Sequence, residues 1–203
     1  EIWGALLNGG QLVLPPTLSP SLADLAQTIV SHLVTTLSLT SGLFNLMVDE
    51  QLDSLQCVRQ LLAGGDVLST RHLQKALAVL KHTQIINGYG PTESTTFTCC
   101  HRITADDLIT SAPIGYPINH TQIYVLDADL QQIPPGLPGE LYIGGAGLAH
   151  GYLNQPQLTA ERFIPNPFYN VRQVGSDCFY LYKTGDQVRY RNDGALEYLG
   201  RLD

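Results

Sequence analysis

The residues best suited to chemistry stand in Asn87-Gly88-Tyr89-Gly90-Pro91-Thr92-Glu93, directly after the apolar pair Ile85-Ile86. That pair reads as the end of a strand, so the seven residues make a rigid turn at a strand's carboxyl end. Gly88 and Gly90 have no Cβ and let backbone come close to a ligand, while Pro91 fixes one dihedral. Thr92 and Glu93 then set a hydroxyl beside a carboxylate. The hydroxyl can donate to a phosphoryl oxygen, and the hard carboxylate oxygen can take Mg²⁺ directly or through water. Tyr89 adds a flat face on which a base could stack. Asn, Gly and Pro are also the commonest turn formers, so by itself the stretch fits a plain surface turn equally well.

Two further stretches could complete a nucleotide site. In Tyr182-Lys183-Thr184-Gly185-Asp186, read as the start of a strand, the aspartate after a Gly turn can accept both hydroxyls of a ribose, although by itself it fits an ordinary turn aspartate better. In Gly200-Arg201-Leu202-Asp203, Arg201 is always charged and can meet a phosphate or a ribose, and Asp203 can serve as a hinge. The glycine-rich run from Gly144 to Gly151 follows an antiparallel-looking strand and lacks the spacing of a dinucleotide fingerprint, so it reads as a structural turn. Asn119-His120-Thr121 matches a glycosylation acceptor and, with no secretory signal read in the sequence, is taken as a chance match. The six histidines fall in no metal-ligand spacing.

The elements that must position these groups alternate at first. Trp3 to Leu7 look like the tail of a buried helix ended by Asn8-Gly9-Gly10, and Gln11 to Leu14 read as a short strand stopped by Pro15-Pro16. Ser19 can cap a helix beginning at Pro20, with Leu22, Leu25, Ala26, Ile29, Val30 and Leu33 on one face. Strands follow at Val34 to Leu39, Leu61 to Ala63 and Gln84 to Ile86, with a short helix after Gly42 and a second amphipathic helix opened by Ser69. Strands alternating with helices imply crossovers and a parallel sheet. Ligands in such sheets sit outside the carboxyl ends of the strands, where Ser38, Gly64-Gly65 and the 87–93 turn fall. From about Thr96 the texture changes to strand-like runs between Pro- and Gly-rich turns, with helical periodicity only near Thr159 to Phe163. Asn192-Asp193-Gly194 between two strands signals a hairpin. The fold class is therefore α/β, with a parallel sheet and flanking helices over 1–110 followed by a mostly antiparallel sheet or distorted barrel over 111–203.

Composition narrows the function classes. A chain of 203 residues with 44% hydrophobic and 14% charged residues can bury a sizeable core. A net charge of -7 argues against a nucleic-acid partner, and the sequence has no run of about 18 apolar residues to span a membrane. Four cysteines without metal spacing are too few for a disulfide framework, which favours a reducing, cytoplasmic setting. The chain opens on Glu1-Ile2-Trp3 without an initiator Met, as if cut from something longer.

Several motifs in order then resemble one family. Asn87 to Glu93, Gly139 to Tyr152 with Leu158 to Phe163, Tyr182 to Asp186 and Glu197 to Asp203 together look like the adenylation domain of nonribosomal peptide synthetases, over the whole chain. Luciferase-like and acyl-CoA ligases share the plan, but Gly151-Tyr152-Leu153-Asn154-Gln155-Pro156 leading to Phe163-Ile164-Pro165-Asn166-Pro167-Phe168 resembles the peptide synthetase branch more. The resemblance implies activation of an amino acid by ATP and Mg²⁺ to an aminoacyl-adenylate, then transfer to phosphopantetheine on a carrier domain, with condensation domains as further partners. Carried over by position, Thr92 would touch phosphate, Glu93 would hold Mg²⁺, and Tyr89 would stack on adenine. Asn87, Gly88, Gly90 and the Gly64-Gly65-Asp66 backbone would border the nucleotide, Asp186 would bind the ribose, Tyr198 and Arg201 would close over it, and Asp203 would be the hinge.

The same resemblance puts the side-chain pocket at Ser38, Leu62, Gly64, Gly88, Thr96 and Phe97. None is charged, and burying an unpaired charge costs several kcal/mol, so the expected substrate is uncharged: aliphatic such as valine, with an aromatic side chain second. The family's upstream phosphate loop, its amino-group aspartate and its small C-terminal lid with a catalytic lysine are not in the sequence. The chain thus reads as a fragment cut at both ends that turns over little or nothing by itself. An acyl- or aryl-CoA ligase and a catalytically silent scaffold module are the alternatives.

Overall fold

The computed structural model describes residues 2–109, 111–169 and 178–202. Two compact units emerge, one of residues 1–87 and 102–112 and the other of 88–101 and 113–203. The sequence reading divides the chain near 110; by packing, the 88–101 stretch groups with the later residues.

The first unit is built on the neighbouring strands β1 (Thr36–Thr40), β2 (Gln60–Gly64) and β3 (Gln84–Tyr89), the last of which runs on into the second unit. β1 and β2 are parallel, with Ser38 opposite Leu62 and Thr40 opposite Gly64. Period-two alternation turns Leu39, Leu61 and Ala63 into the core and leaves Ser38, Leu62 and Gly64 on the other face. Helices α1 (Ile2–Leu7), α2 (Leu22–Ser31), α3 (Ser41–Glu50) and α4 (Thr70–Val79) complete the unit, and Phe44, Met47, Leu55, Leu73 and Ile85 fill its interior. Three expectations are corrected. Gln11 to Leu14 join no ladder, and without a partner for its backbone groups the run has no reason to be a strand. The cap of α2 is Ser21, not Ser19: its hydroxyl accepts from the Asp24 amide while Asp24 reaches back to the Ser21 amide, a reciprocal pair that outweighs the Pro20 signal. The face of α1 expected to be buried is exposed, with Trp3 at 70%.

The second unit contains a curled antiparallel sheet ordered β10-β9-β7-β6, made of β6 (Thr121–Leu126), β7 (Gly139–Gly145), β9 (Tyr180–Tyr190) and β10 (Leu196–Arg201). A short strand β8 (Phe163–Pro165) pairs with β9 after helix α5 (Pro156–Arg162). β4 (Cys99–Arg102) pairs antiparallel with β5 (Tyr116–Pro117). The 192–194 hairpin forms as expected, with Gly194 at φ 85° donating to the Arg191 carbonyl. Cys99, Ile114, Val125, Leu141, Ile143, Val188 and Leu196 form the core. Among the described residues no helix is long and apolar enough to cross a membrane.

Leu141 is fully buried at the centre of this core, whereas Leu153 stands 88% exposed. Leu141→Ala should lower stability by about 2–5 kcal/mol through lost contacts and a residual cavity. Leu153→Ala should change it by less than about 0.5 kcal/mol. Denaturant titration of the two variants checks both.

Candidate functional site

The site is assembled on the second unit around an irregularity in β9. Tyr142 pairs with Lys183 but Glu140 pairs with Gln187, so Thr184, Gly185 and Asp186 together stand opposite the single Leu141. The neighbouring ladder is disturbed at the same height, with a register shift between Tyr198 and Gly200. A bulge of this kind lifts residues out of the ladder and must satisfy their backbone groups otherwise. Here the Gly185 amide donates to Glu140 Oε1 at 3.0 Å and the Asp186 amide to Thr184 Oγ1 at 2.9 Å. Thr184 Oγ1 in turn donates to the Leu141 carbonyl at 2.7 Å, and the Gly185 carbonyl accepts from the Leu202 amide at 2.8 Å. Gly185 sits at φ 75° with Arg201 Nη2 only 3.2 Å from where a Cβ would be, so the position has reason to be glycine. Asp186 is thus presented mid-strand rather than at the strand start expected from sequence.

Two groups hold the Asp186 carboxylate. The Tyr89 hydroxyl donates to Oδ2, and Arg201 Nη1 donates to Oδ1 at 3.1 Å and to the Thr184 carbonyl at 3.1 Å. Burial, and then the Asp186 charge beside it, push the Tyr89 phenol far above its ordinary range, so Tyr89 stays protonated and remains a donor. The Tyr89 and Tyr198 rings lie 6.5 Å apart between centroids, tilted by 37°. A carboxylate offers about four acceptor directions, so one bond on each oxygen leaves room for further donors.

The Thr92-Glu93 turn forms a second cluster. Residues 92–94 make one 3-10 turn, after which Thr95 and Thr96 are both left-handed, at φ 53° and 75°. The Phe97 amide donates to the Thr95 carbonyl at 3.0 Å, closing a strained γ-turn on a β-branched residue. The turn is pinned by the glycine-rich run: the Ala149 amide donates to the Glu93 carbonyl at 2.8 Å and Thr95 Oγ1 to the Gly147 carbonyl at 2.6 Å. Added Cβ atoms at Gly88 and Gly90 would meet the Phe97 ring and the Thr96 carbonyl at 2.5 Å, so the turn closes on itself only because both are glycine. Burial raises the Glu93 carboxyl, but hydrogen bonds from the Tyr152 hydroxyl, its own backbone amide and Tyr182, with the Arg162 charge nearby, outweigh it and bring it below the ordinary value.

With this geometry in view, the comparisons with known proteins decide the family. The AMP-binding enzyme model matches residues 1–153. The chain belongs to the AMP-binding enzyme family. A linear gramicidin synthase of Brevibacillus parabrevis is 58% identical over 204 residues, covering all of this chain and 3% of that protein. PA1221, an NRPS protein containing adenylation and PCP domains, superposes with a TM-score of 0.91 at 44% identity, over all of this chain and 40% of the other. NpsA-ThdA of Klebsiella oxytoca, a fused adenylation-PCP didomain, does so at 0.90 and 35%, over all of this chain and 37% of the other. The chain therefore spans a small part of its curated relatives, and it is an adenylation-type member of the AMP-binding enzyme family with the expected α/β and antiparallel halves.

Within this family member the expected site residues fall into two groups. Gly88, Tyr89, Gly90, Thr92, Glu93, Thr96, Phe97, Asp186, Tyr198 and Arg201 lie in the second unit. Of these, Tyr89, Asp186 and Arg201 are directly linked; Thr92 is exposed and Glu93 bonds elsewhere. Ser38, Leu62, Gly64, Gly65, Asp66 and Asn87 lie in the first unit, at or beside the carboxyl ends of β1 to β3. Gly65 is at φ 84°, and the Asp66 carboxylate accepts from the Val67 amide at 2.7 Å. Asp203 lies outside the described residues. Sequence reasoning missed Tyr152, Tyr182, Thr184 and Glu140. Tyr152 follows directly on the glycine-rich run, and Tyr182 and Thr184 lie inside the motif read for Asp186 alone, so each stood beside a residue already singled out.

The depressed Glu93 carboxyl carries a pH signature. Because its folded value lies below the ordinary 4.5, the stabilisation it brings is complete above that value and fades as pH falls through the folded value. The gap in denaturant midpoint between the unsubstituted protein and Glu93→Gln should therefore shrink on acidification from pH 6 to pH 3. Equal gaps at both ends would contradict the assignment.

Proposed function

We propose that these residues belong to an amino-acid-activating adenylation domain, which joins ATP and an uncharged amino acid into an aminoacyl-adenylate and pyrophosphate. The observation that carries the reading is one carboxylate, Asp186, offered at a bulge beside an aromatic ring, with a separate hydroxyl-carboxylate pair, Thr92 and Glu93, on a pinned turn. Asp186 would receive the ribose hydroxyls, and Tyr89 would lie against adenine, a kind of contact worth about 1–3 kcal/mol per base. Tyr198 and Arg201 would border the nucleotide, as would Asn87, Gly88, Gly90 and the Gly64-Gly65-Asp66 backbone. Thr92 would donate to a phosphoryl oxygen. A hard carboxylate on a half-exposed turn suits Mg²⁺, which keeps several waters and binds through one or two carboxylates plus substrate phosphates. Glu93 would hold that ion, which supplies charge neutralisation on the phosphates. The reaction is attack of a carboxylate on the α-phosphorus, so the chain's own work is to orient the two reactants and to aim donors at the developing charge.

The substrate reading rests on the six positions that the motif resemblance gives to the side-chain pocket. In the first unit Ser38 and Leu62 are partners across two parallel strands with Gly64 two residues on; in the second, Gly88 lies under the Phe97 ring and Thr96 is held by its γ-turn. All six are uncharged, which supports an uncharged and valine-like side chain with an aromatic one next. The adenylation-PCP neighbours support a carrier domain as partner; phosphopantetheine on that carrier and condensation domains in a larger synthetase are proposed on the motif resemblance alone. The described cysteines are all free, in keeping with a reducing, cytoplasmic setting. Asp203 is proposed as the hinge to a mobile lid on motif position alone.

Amino-acid-dependent exchange of labelled pyrophosphate into ATP, on the full natural chain that carries these residues, tests the reading. Exchange should be highest with one uncharged amino acid and fall at least about a hundredfold in Glu93→Ala, as expected when a charge-stabilising group is removed. Preference for Asp, Glu, Lys or Arg would sink the substrate assignment. Exchange only with a non-amino carboxylic acid would move the protein to the acyl-CoA ligase class.

A further inference from the structure

A metal-binding carboxylate on a turn is useful only if something fixes its torsions, and the structure supplies that group from a distant part of the chain. The Tyr152 hydroxyl donates to Glu93 Oε1 at 2.5 Å, across 59 residues of sequence. Tyr152 is held by its backbone and by its ring. Its backbone amide donates to Thr159 Oγ1 at 2.9 Å, tying the residue to helix α5. The preceding Gly151 adopts φ 142°, and a Cβ there would meet Thr159 Cγ2 at 2.3 Å, so the chain can press against α5 only at a glycine. The ring meets Phe163 edge-on at 5.6 Å, Phe163 packs against Tyr182 at 5.2 Å, and the Tyr182 hydroxyl lies 3.5 Å from that of Tyr152. The same 144–151 run that leads into Tyr152 also grips the turn, the Ala149 amide at the Glu93 carbonyl and the Gly147 carbonyl at the Thr95 hydroxyl. One segment thus clamps the Glu93 backbone and its side chain together.

We propose that Tyr152 is a positioning residue for the divalent cation of the bound nucleotide: it sets the Glu93 carboxylate in the orientation that takes the ion, with Thr159 and Phe163 fixing Tyr152 itself. The inference rests on the nucleotide-activating function proposed above. Tyrosine suits the task because its rigid ring has few torsions to lose, whereas the glutamate side chain has three. Phenylalanine at 152 would keep the ring packing and remove the Tyr152 donor, leaving Glu93 with its own backbone amide and Tyr182.

The test uses the full natural chain and two readouts: the Mg²⁺ dependence of pyrophosphate exchange, and the affinity for Mn²⁺ in the presence of ATP measured by electron paramagnetic resonance. In Tyr152→Phe the Mg²⁺ needed for half-maximal exchange should rise on the order of tenfold, the usual scale for losing a group that orients a metal ligand. Mn²⁺ affinity should fall in step, and the amino-acid KM at saturating Mg²⁺ should stay unchanged. Thr159→Val, which leaves both Tyr152 and Glu93 in place, should move both readouts in the same direction by less. Tyr124→Phe, whose hydroxyl bonds Gln122 instead, should move neither. Unchanged metal dependence in Tyr152→Phe and Thr159→Val, with the unsubstituted protein active, overturns the role of Tyr152 alone. A loss of exchange equal at every Mg²⁺ concentration, with Mn²⁺ affinity intact, also overturns it. Absence of both exchange and nucleotide-dependent Mn²⁺ binding in the unsubstituted protein overturns the underlying function with it.

Discussion

The arrangement of the second unit depends on how the Asp186 carboxylate is held. A buried carboxylate is tolerable only when charge and hydrogen bonds compensate its lost hydration, and here a neutral phenol and a guanidinium do so from opposite sides. Each partner comes from a different stretch of sequence, Tyr89 from the end of β3 and Arg201 from the end of β10. The carboxylate therefore stitches together segments that local propensity would leave independent. The bulge in β9 follows from the same need. Three residues of β9 opposite one of β7 take Asp186 out of register with β7 while it still pairs with Arg201 of β10, at the cost of backbone groups that Glu140 and Thr184 must satisfy.

The Thr92-Glu93 turn obeys a different constraint. It is short, strained and left-handed at two threonines, so it holds its shape only because neighbours over-determine it. The glycine-rich run does this from one side, and Tyr152 from another. The glycine-rich run is therefore a structural turn with a partner: its glycines let it press against His120, Cys178 and Thr159, and Ala149 and Gly147 bond the 92–97 turn. The groups proposed to face phosphate and ribose are held by different partners, Glu93 by Tyr152 and Asp186 by Tyr89 and Arg201.

Much of this was legible in sequence, for identifiable reasons. Alternating strands and amphipathic helices up to about residue 90 carry period-two and period-3.6 patterns strong enough to read, and Asn192-Asp193-Gly194 fixed its hairpin by turn chemistry. Site residues were legible where chemistry-bearing types stood beside glycine. The errors arose where two local signals competed: Ser19-Pro20 against the reciprocal Ser21-Asp24 cap, or β-propensity at Gln11 to Leu14 without any partner strand. Tyr152 and Glu140 lay within a motif already singled out, but their roles could not be read from it. Their roles exist only through contacts across 59 and 45 residues, and no periodicity encodes such a pairing.

The central claim, that Asp186 is the ribose receptor of a nucleotide site, is tested most directly by comparing the equilibrium affinities of ATP and 2′-deoxy-ATP for the full natural chain, with Asp186→Ala alongside. A hydrogen bond to a charged group contributes about 1.5–3 kcal/mol, so ATP should bind at least about tenfold more tightly than its 2′-deoxy analogue, and the difference should vanish in the variant. Equal affinities for the two nucleotides in the unsubstituted protein, or a preference that survives in Asp186→Ala, would contradict the account.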